Sequence, residues 1–258
     1  MSDIKTENTE PMKVLITGAD RGIGLALCRV FLENGYHVFA GRYLQRWQHL
    51  NALNDRYPEQ LTLVDLDISS EESVRQAAAK VAAETDALDI LVNNAGIIGH
   101  YSPDIFSEQD YESMLQVYNV NALGPVRVAQ HFIRLMLKGQ GRLIVNISSE
   151  AGSIGTCWRD DGYGYCMSKA ALNMASSIMH NSLYRAHRIQ VVDIHPGGVA
   201  SQMGQGAWPD QPQTDEHGNL SLTPDQSAAA IFDLILDQER FKSDHPAYVN
   251  FRGDKIAW

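Results

Sequence analysis

The sequence predicts an α/β fold, a single doubly wound parallel sheet of about seven strands with helices on both faces. Short apolar runs alternate with longer segments of helical periodicity along the chain, as in repeated right-handed βαβ units. The runs are continuously apolar, which is typical of strands covered on both faces. The 258 residues are 44% hydrophobic and 20% charged, which allows one sizeable core and excludes a collagen-like or largely disordered chain.

The elements follow one another in a regular order. The first unit is a strand at 13–17 and a helix at 22–34, which Gly35 ends. Further strands are predicted at 37–40, 61–66, 89–92, 142–147, 190–194 and 247–250. Further helices are predicted at about 71–84, 108–138, 165–185 and 224–238. Ser69 or Ser70 is expected to cap the helix at 71–84.

The chain is expected to form one domain over 12–258, behind a flexible leader at 1–11. The one long stretch without periodicity, 204–222, is rich in Gln, Pro, Gly and Asp and is expected to be a surface loop or lid. The leader is polar and acidic, unlike a signal peptide, and no apolar run approaches the roughly 18 residues of a membrane span. These features indicate a soluble, cytoplasmic protein without a membrane partner.

Charge and cysteine content exclude further classes. There are 21 Lys and Arg against 31 Asp and Glu, a net charge of −10, which disfavours nucleic acid as a partner. Three cysteines at wide spacing indicate neither a disulfide framework nor a zinc site. Cys166 is expected to be a structural thiol rather than a nucleophile. The histidines and acidic residues show no ligand spacing, so no metal is expected.

A glycine-rich turn between the first strand and the first helix predicts a dinucleotide site. It reads Thr17-Gly18-Ala19-Asp20-Arg21-Gly22-Ile23-Gly24. Glycines allow the backbone to approach a pyrophosphate, and the free N–H groups and dipole of the helix N-terminus favour its negative charge.

This GxxxGxG spacing resembles that of the short-chain dehydrogenase/reductase family, and further matches occur in that family's order. They are Asp67-Ile68, Asn93-Asn94-Ala95-Gly96, the YxxxK pair Tyr165 and Lys169, and Pro196-Gly197. Together the motifs cover about residues 13 to 201. The segments 168–173 and 251–258 resemble the C-factor and sniffer-type carbonyl reductase branch. The resemblance implies a Rossmann-type fold and an enzyme dependent on NAD or NADP.

The end of the second strand favours NADP(H), with NAD(H) as the alternative. An acidic residue there would repel a 2′-phosphate, but the chain has Ala40-Gly41-Arg42. Arg21 in the glycine-rich turn offers a second guanidinium for that phosphate. Either arginine alone could equally be a solvated surface charge. Asp65 is expected to point into packing.

The spacing of Tyr165 and Lys169 places both on one face of a helix. A neighbouring ammonium, together with an oxidised nicotinamide, favours the phenolate, so the pKa of Tyr165 is expected to move down toward the working range. Tyr163 lacks such a partner, because Met167 stands four residues later.

The resemblance implies the remaining catalytic residues. Ser149 is expected to hold the substrate oxygen, and Ser148 to point away or bond the backbone. Asn121, rather than Asn119, is expected to distort its helix and hold a water for proton relay.

The resemblance also implies nucleotide contacts. Asp67 is expected to bind the adenine amino group beside the backbone of Ile68, and 94–96 to line the adenosine ribose. Residues 196–199 are expected to contact the nicotinamide amide, Val199 through its backbone. Ser201 stands where a threonine is usual.

The sequence leaves open the roles of two loops, one between Ser149 and Tyr165 and one that contains Trp208. Ser149 and Tyr165 lie 16 residues apart, more than is usual in the family, so the loop between them either shapes the substrate pocket or forms a surface bulge. Gly198 stands where bulkier residues are frequent, which could widen the pocket. Trp208 either covers the substrate or contacts another subunit.

These features predict an NADPH-dependent reductase of small ketones or aldehydes, reversible toward the alcohol. The alternative is a non-catalytic dinucleotide sensor on the same fold. The complete set of Asn121, Ser149, Tyr165 and Lys169 disfavours the sensor, and the short chain disfavours an epimerase, dehydratase or lyase. The helices at 108–138 and 165–185 resemble those that pair subunits in the family, so a homodimer or homotetramer is expected.

Overall fold

Seven parallel strands form one sheet in this computed structural model, which describes residues 10–100, 104–200 and 221–258. The strands are β1 (Lys13–Ile16), β2 (His37–Arg42), β3 (Leu61–Asp65), β4 (Ile90–Asn93), β5 (Leu143–Ile147), β6 (Gln190–His195) and β7 (Ala247–Asn250). Their order is β3-β2-β1-β4-β5-β6-β7, and every neighbouring pair is parallel. The predicted doubly wound sheet is therefore confirmed.

Helices cover both faces of the sheet. They are α1 (Gly22–Glu33), α2 (His49–Arg56), α3 (Glu71–Glu84), α4 (Tyr111–Tyr118), α5 (Gly124–Met136), α6 (Tyr163–His187) and α7 (Pro224–Leu236). Ser70 caps α3, because its hydroxyl accepts a hydrogen bond from the N–H of Ser73. Thr223 and Gln226 form a reciprocal capping box on α7.

Two apolar clusters form the core, one on each face. Phe31 of α1 and Phe232 of α7 meet edge to face at 4.9 Å on one side. Phe39 of β2 and Phe132 of α5 are fully covered on the other side. This two-sided burial explains why the strands read as continuous apolar runs.

The helix predicted at 108–138 is wrong as one regular element. It divides into α4 and α5 around a π-helical turn at Asn119–Leu123. Helix α2 has no counterpart among the predicted elements. Leu50 and Leu53 are its only buried residues, and two apolar positions are too few to give a helical pattern in the sequence. The ends of the other predicted elements coincide with the observed ones or differ by one or two residues.

The leader lies outside the described residues except at positions 10 and 11, and so does the loop at 204–222 except for Ser221 and Leu222. No helix in the described ranges is long and apolar enough to cross a membrane.

Candidate active site

The glycine-rich turn packs tightly against the segment that follows β4. Gly18 has a φ of +64°, and a Cβ there would lie 2.8 Å from the Cα of Ala95. A Cβ on Gly24 would lie only 2.2 Å from the carbonyl oxygen of Gly18. Only glycine fits at these two positions, so the turn can hold the start of α1 directly against its own backbone.

Two side chains connect this turn to the β4 segment. The hydroxyl of Thr17 accepts hydrogen bonds from the N–H groups of Asn94 and Ala95, each at 3.0 Å. The Asn94 amide donates to the carbonyls of Thr17 and Gly18 at 2.9 and 3.1 Å. Thr17 and Asn94 therefore fix the walls of the predicted nucleotide site.

A groove of about 740 Å³ runs along the carboxyl ends of the strands. It crosses the point between β1 and β4 where the strand order reverses, which is where α/β sheets bind their ligands. The predicted site residues that line it are Gly18, Asp20, Arg21, Gly22, Ile23, Asp67, Ile68, Asn94, Ala95, Gly96, Tyr165, Lys169 and Pro196. The lining does not include the other described site residues that were predicted, and it includes Ser148 in place of Ser149: the residues outside it are Thr17, Gly24, Arg42, Asn121, Ser149, Gly197 and Val199.

The polar end of the groove differs from the sequence interpretation. Asp65 does not point into packing: its side chain is 62% exposed and accepts a hydrogen bond from Arg42 Nε at 2.6 Å. The two residues are register partners on β2 and β3, so the acid missing from the end of β2 is supplied by its neighbour. The Arg21 guanidinium lies 5.3 Å from the ring centre of Trp47.

Asp20 and Asp67 both bind nearby backbone groups. The Asp20 carboxylate accepts from the N–H groups of Tyr43 and Leu44 at 2.9 and 3.1 Å, which fixes the chain after β2. Asp67 Oδ1 accepts from the N–H and hydroxyl of Ser69 at 2.9 and 2.6 Å. Both residues still line the groove.

Tyr165 and Lys169 lie on the inner face of α6. Lys169 is 5% exposed, its ammonium donates to the carbonyl of Ile147 at 2.7 Å, and it lies 5.8 Å from the ring centre of Tyr165. Burial lowers the pKa of Lys169 to about 8, against an opposing influence of Asp193.

The expected lowering of the tyrosine pKa is wrong for the chain's own groups. Burial raises the pKa of Tyr165, and the opposing influences come from its hydrogen bond with Ser149 and from Arg159. A buried phenol is harder to ionise, because the surrounding protein solvates a phenolate less well than water does. The protonated phenol is thus the stable form, as a proton donor requires.

Ser149 follows β5 and is held from two sides. Its hydroxyl accepts from the N–H of Ala151 at 3.2 Å, and the Tyr248 hydroxyl donates to its carbonyl oxygen. Ser148 does not bond the backbone through its side chain: its hydroxyl donates to Asn173 Oδ1 at 2.6 Å. Tyr248 was missed by the sequence analysis.

Asn121 occupies the middle of the π-helical turn, as expected for a residue that distorts its helix. Its side chain accepts from the N–H of Ile97 at 2.9 Å and donates to that residue's carbonyl at 2.8 Å. It also donates to Ser168 on α6 at 3.0 Å. Asn121 therefore ties the β4 loop to the start of α6. Asn119 instead accepts from Arg127 and donates to the carbonyl of Ser69.

The loop between Ser149 and Tyr165 carries an ion pair that the sequence did not reveal. Arg159 Nη2 contacts Glu150 Oε1 at 2.5 Å, and the Arg159 guanidinium lies 4.7 Å from the ring centre of Trp158. The two charges act on the pKa of Tyr165 in opposite directions, since Glu150 raises it and Arg159 lowers it. Cys166 is half-buried, and burial raises the pKa of its thiol, which agrees with a structural thiol.

The remaining predicted site residues follow β6 in the chain. Gly197 has a φ of +85°, and Val199 forms a bridge with Leu222. Ser201 and Trp208 lie outside the described residues. Within the ranges that the structure describes, no three His, Cys, Asp or Glu side chains are grouped as a metal ion requires.

Comparison with known proteins gives consistent matches over nearly the whole chain. Residues 12–212 match the model of the short chain dehydrogenase family. An oxidoreductase from Schizosaccharomyces pombe named C663.06c, itself described as uncharacterized, is 32% identical over 94% of this chain and 96% of its own length.

Solved structures match equally well. The NADPH-bound carbonyl reductase from chicken fatty liver is 30% identical, with a TM-score of 0.81 over 97% of this chain and 100% of that one. The carbonyl reductase Sniffer of D. melanogaster is 26% identical, with a TM-score of 0.82 over 96% of this chain and 100% of that one.

Proposed function

The chain belongs to the short-chain dehydrogenase/reductase family of oxidoreductases, and from this premise we propose that it reduces small ketones or aldehydes with NADPH. The observation that supports this most is the position of the Tyr165 phenol and the Lys169 ammonium on the wall of the groove, next to the glycine-rich turn. This places a proton donor beside a pocket suited to a dinucleotide.

The groove fits a nicotinamide dinucleotide. A Cβ at Gly18 or Gly24 would clash with the neighbouring backbone, so glycine keeps the turn close enough to the groove for its N–H groups to reach a pyrophosphate. A Cβ at Gly96 would lie 3.2 Å from Asn121 Oδ1. The turn and the start of α1 would hold the pyrophosphate, 67–68 the adenine and 94–96 the adenosine ribose. Lys169 and 196–199 would hold the nicotinamide half. When bound, the dinucleotide supplies the hydride for the carbonyl carbon.

The chain's own residues supply the proton and orient the substrate. The Tyr165 hydroxyl donates its proton to the carbonyl oxygen, and the Ser149 hydroxyl donates a hydrogen bond to the same oxygen. Lys169 stabilises the phenolate left on Tyr165. Asn121 holds the groove in shape through its side-chain hydrogen bonds to Ile97 and Ser168, and it is proposed to hold a water for proton relay.

The preference for NADPH over NADH is expected to depend on Arg21 and Arg42. Replacing either arginine with alanine should lower kcat/KM for NADPH about tenfold and leave that for NADH within about twofold, because one charge-assisted hydrogen bond is lost. Asp65→Asn, which releases Arg42 from its ion pair, should raise the NADPH preference. Arg29→Ala, on an exposed face of α1, is the matched control. Equal or better kcat/KM with NADH in the wild-type protein would contradict this proposal.

Turnover is tested by NADPH oxidation over a panel of aldehydes, ketones and quinones. Tyr165→Phe should lower kcat by about a hundredfold or more, since it removes the general acid. Tyr163→Phe removes a hydroxyl at the start of the same helix and should retain activity. NADPH binding without turnover of any compound would favour a dinucleotide sensor, and unchanged activity in Tyr165→Phe would refute the assigned acid.

A homo-oligomer is also proposed, from an apolar surface shared by α4 and α6, which pack against each other. Six large apolar side chains on these helices are between 43% and 70% exposed: Tyr111, Leu115, Tyr118, Met167, Met174 and Ile178. Light scattering should give at least twice the 28.6 kDa of one chain. Ile178→Glu should dissociate the assembly, and a monomeric wild-type protein would overturn the proposal.

A further inference from the structure

A row of polar side chains crosses the middle of the sheet beneath α6. Asn93, Asn146, Asp193 and Tyr248 are register partners on the neighbouring strands β4 to β7. Asn93 donates to Asn146 Oδ1 at 2.8 Å, and Asn146 donates to Asp193 Oδ1 at 3.1 Å. All four residues are buried. A continuous polar row inside a sheet that is otherwise apolar is costly, so its charged member needs a specific explanation.

That charged member is Asp193, whose side chain is entirely buried. Oδ1 accepts a hydrogen bond from Asn146, whereas the nearby hydroxyl of Ser176 donates to the carbonyl of Leu172. Oδ2 is buried and has no hydrogen-bond partner among the described residues. A carboxylate at this position is stabilised only in part by its hydrogen bonds, which leaves a role for a nearby cation.

The cation is Lys169. Lys169, Asn173 and Ser176 follow one another at helical spacing on the buried face of α6. Ser176 also accepts a hydrogen bond from Asn146 at 2.8 Å, so this face of α6 lies directly on the polar row. Lys169 donates to the carbonyl of Ile147, the residue after Asn146, and its charge and that of Asp193 act on each other.

We propose that Asp193 is a positioning residue for the Tyr165–Lys169 pair: its buried carboxylate keeps Lys169 in the ammonium form and in place below the phenol. This inference rests on the proposed function for its catalytic meaning, but the charge coupling itself is a property of the chain alone. Asp193 is not among the residues that line the groove, so it can influence Tyr165 and a bound substrate only through Lys169.

The titration behaviour agrees with this geometry. Burial lowers the pKa of Lys169 to about 8 and raises that of Asp193 to about 7, while each charge opposes the shift of the other. Among the described residues, the other titratable group beside Asp193 is its register partner Tyr248 of β7, whose pKa burial raises to about 12. Tyr248 is neutral at working pH, so Lys169 is the counter-charge.

The test uses Asp193→Asn, which keeps the shape and removes the charge. In the wild-type protein the raised pKa of Asp193 makes stability fall as the pH rises from about 4 to about 7. The lowered pKa of Lys169 makes stability rise with pH between about 8 and about 10.5. In the variant the first dependence should disappear, and the second should begin one to two pH units lower, because the ammonium has lost its counter-charge.

Urea unfolding of the cofactor-free protein across this pH range gives the required curves. Infrared difference spectra between pH 6 and pH 8 should also show a carboxylic acid band in the wild-type protein that the variant lacks. Ile194→Val, a buried change on the opposite face of β6, is the stability-matched control and should shift the unfolding curve without changing its pH dependence. An Asp193 that does not act on Lys169 would leave the dependence between about pH 8 and pH 10.5 unchanged in Asp193→Asn, and that result would overturn the proposal.

Activity gives the second measurement, with NADPH and 4-nitrobenzaldehyde as the probe. The alkaline limb of the kcat profile should move down by one to two pH units in Asp193→Asn, a loss of about fivefold or more at pH 8. Asp193→Glu should restore part of the limb. If the wild-type protein reduces no carbonyl compound, the proposed function fails, and the Lys169 dependence of the unfolding curves above about pH 7 still decides the coupling.

Discussion

Gly24→Ala is the sharpest single test of how the glycine-rich turn binds a nucleotide. The added Cβ would lie 2.2 Å from the carbonyl oxygen of Gly18 and 2.6 Å from Asn94 Nδ2. Ordinary contacts begin near 3.4 Å, so the turn would have to move by about 1 Å away from α1. The hydrogen bond from Asn94 to Gly18 would be stretched or lost in the same movement.

The expected magnitudes follow from that displacement. Overpacking of this size costs about 1–3 kcal/mol of folding stability. For a chain of this length that corresponds to a decrease in Tm of about 2–12 °C. A misplaced turn loses one charge-assisted hydrogen bond to the pyrophosphate or more, so NADPH should bind about ten- to a hundredfold more weakly.

The assay is fluorescence titration of NADPH, with thermal unfolding measured on the same samples. Gly35→Ala is a matched control, because Gly35 lies just past the other end of α1, has a φ of +80° and has no atom within 4 Å of a Cβ. Its left-handed backbone should cost alanine about 1–2 kcal/mol without touching the groove. If folded Gly24→Ala bound NADPH within twofold of the wild-type protein, the proposed contact between turn and nucleotide would be wrong.

Three further changes have defined outcomes. Thr17→Val should lower the free energy of unfolding by about 1–3 kcal/mol for each of the two N–H groups left without an acceptor, whereas Thr17→Ser should restore most of it in urea unfolding. Tyr248→Phe removes the hydrogen bond to the carbonyl of Ser149 and should lower kcat about fivefold, while the Kd of NADPH measured by titration stays unchanged. Burial lowers the pKa of His195 to about 4, so the wild-type protein should lose stability as the pH falls from about 6.5 to about 4. His195→Gln should show a smaller loss across the same window.

Features carried by neighbouring residues could be predicted from the sequence. The strand, turn and helix of the glycine-rich segment, the cap at Ser70 and the strand at Ala247–Asn250 all depend on local patterns. The YxxxK spacing likewise placed Tyr165 and Lys169 on one helix face, and the structure has both on the groove wall.

Features that depend on register between strands could not be predicted. The Arg42–Asp65 pair joins two strands whose alignment no local pattern specifies. Tyr248 and Ser149 are 99 residues apart, and the contact between them follows from the position of β7 at the edge of the sheet. The pKa of Tyr165 was misjudged because burial is a property of the folded protein, whereas the neighbouring lysine is visible in the sequence.

The π-helical turn at Asn119–Leu123 makes α4 and α5 sensitive to chain length as well as to residue type. A π turn accommodates one more residue than a regular helical turn does. Deleting one residue within the turn would remove that extra residue, so α4 and α5 would merge into one helix with their faces kept, whereas a deletion between the turn and Val128 would rotate the rest of α5 by about 100°. The buried side of α5, which includes Val128 and Phe132, would then face away from the sheet. In a scan of single-residue deletions along 111–136, those outside 119–123 should therefore be harmful even where substitutions are tolerated, and those within 119–123 should be tolerated best.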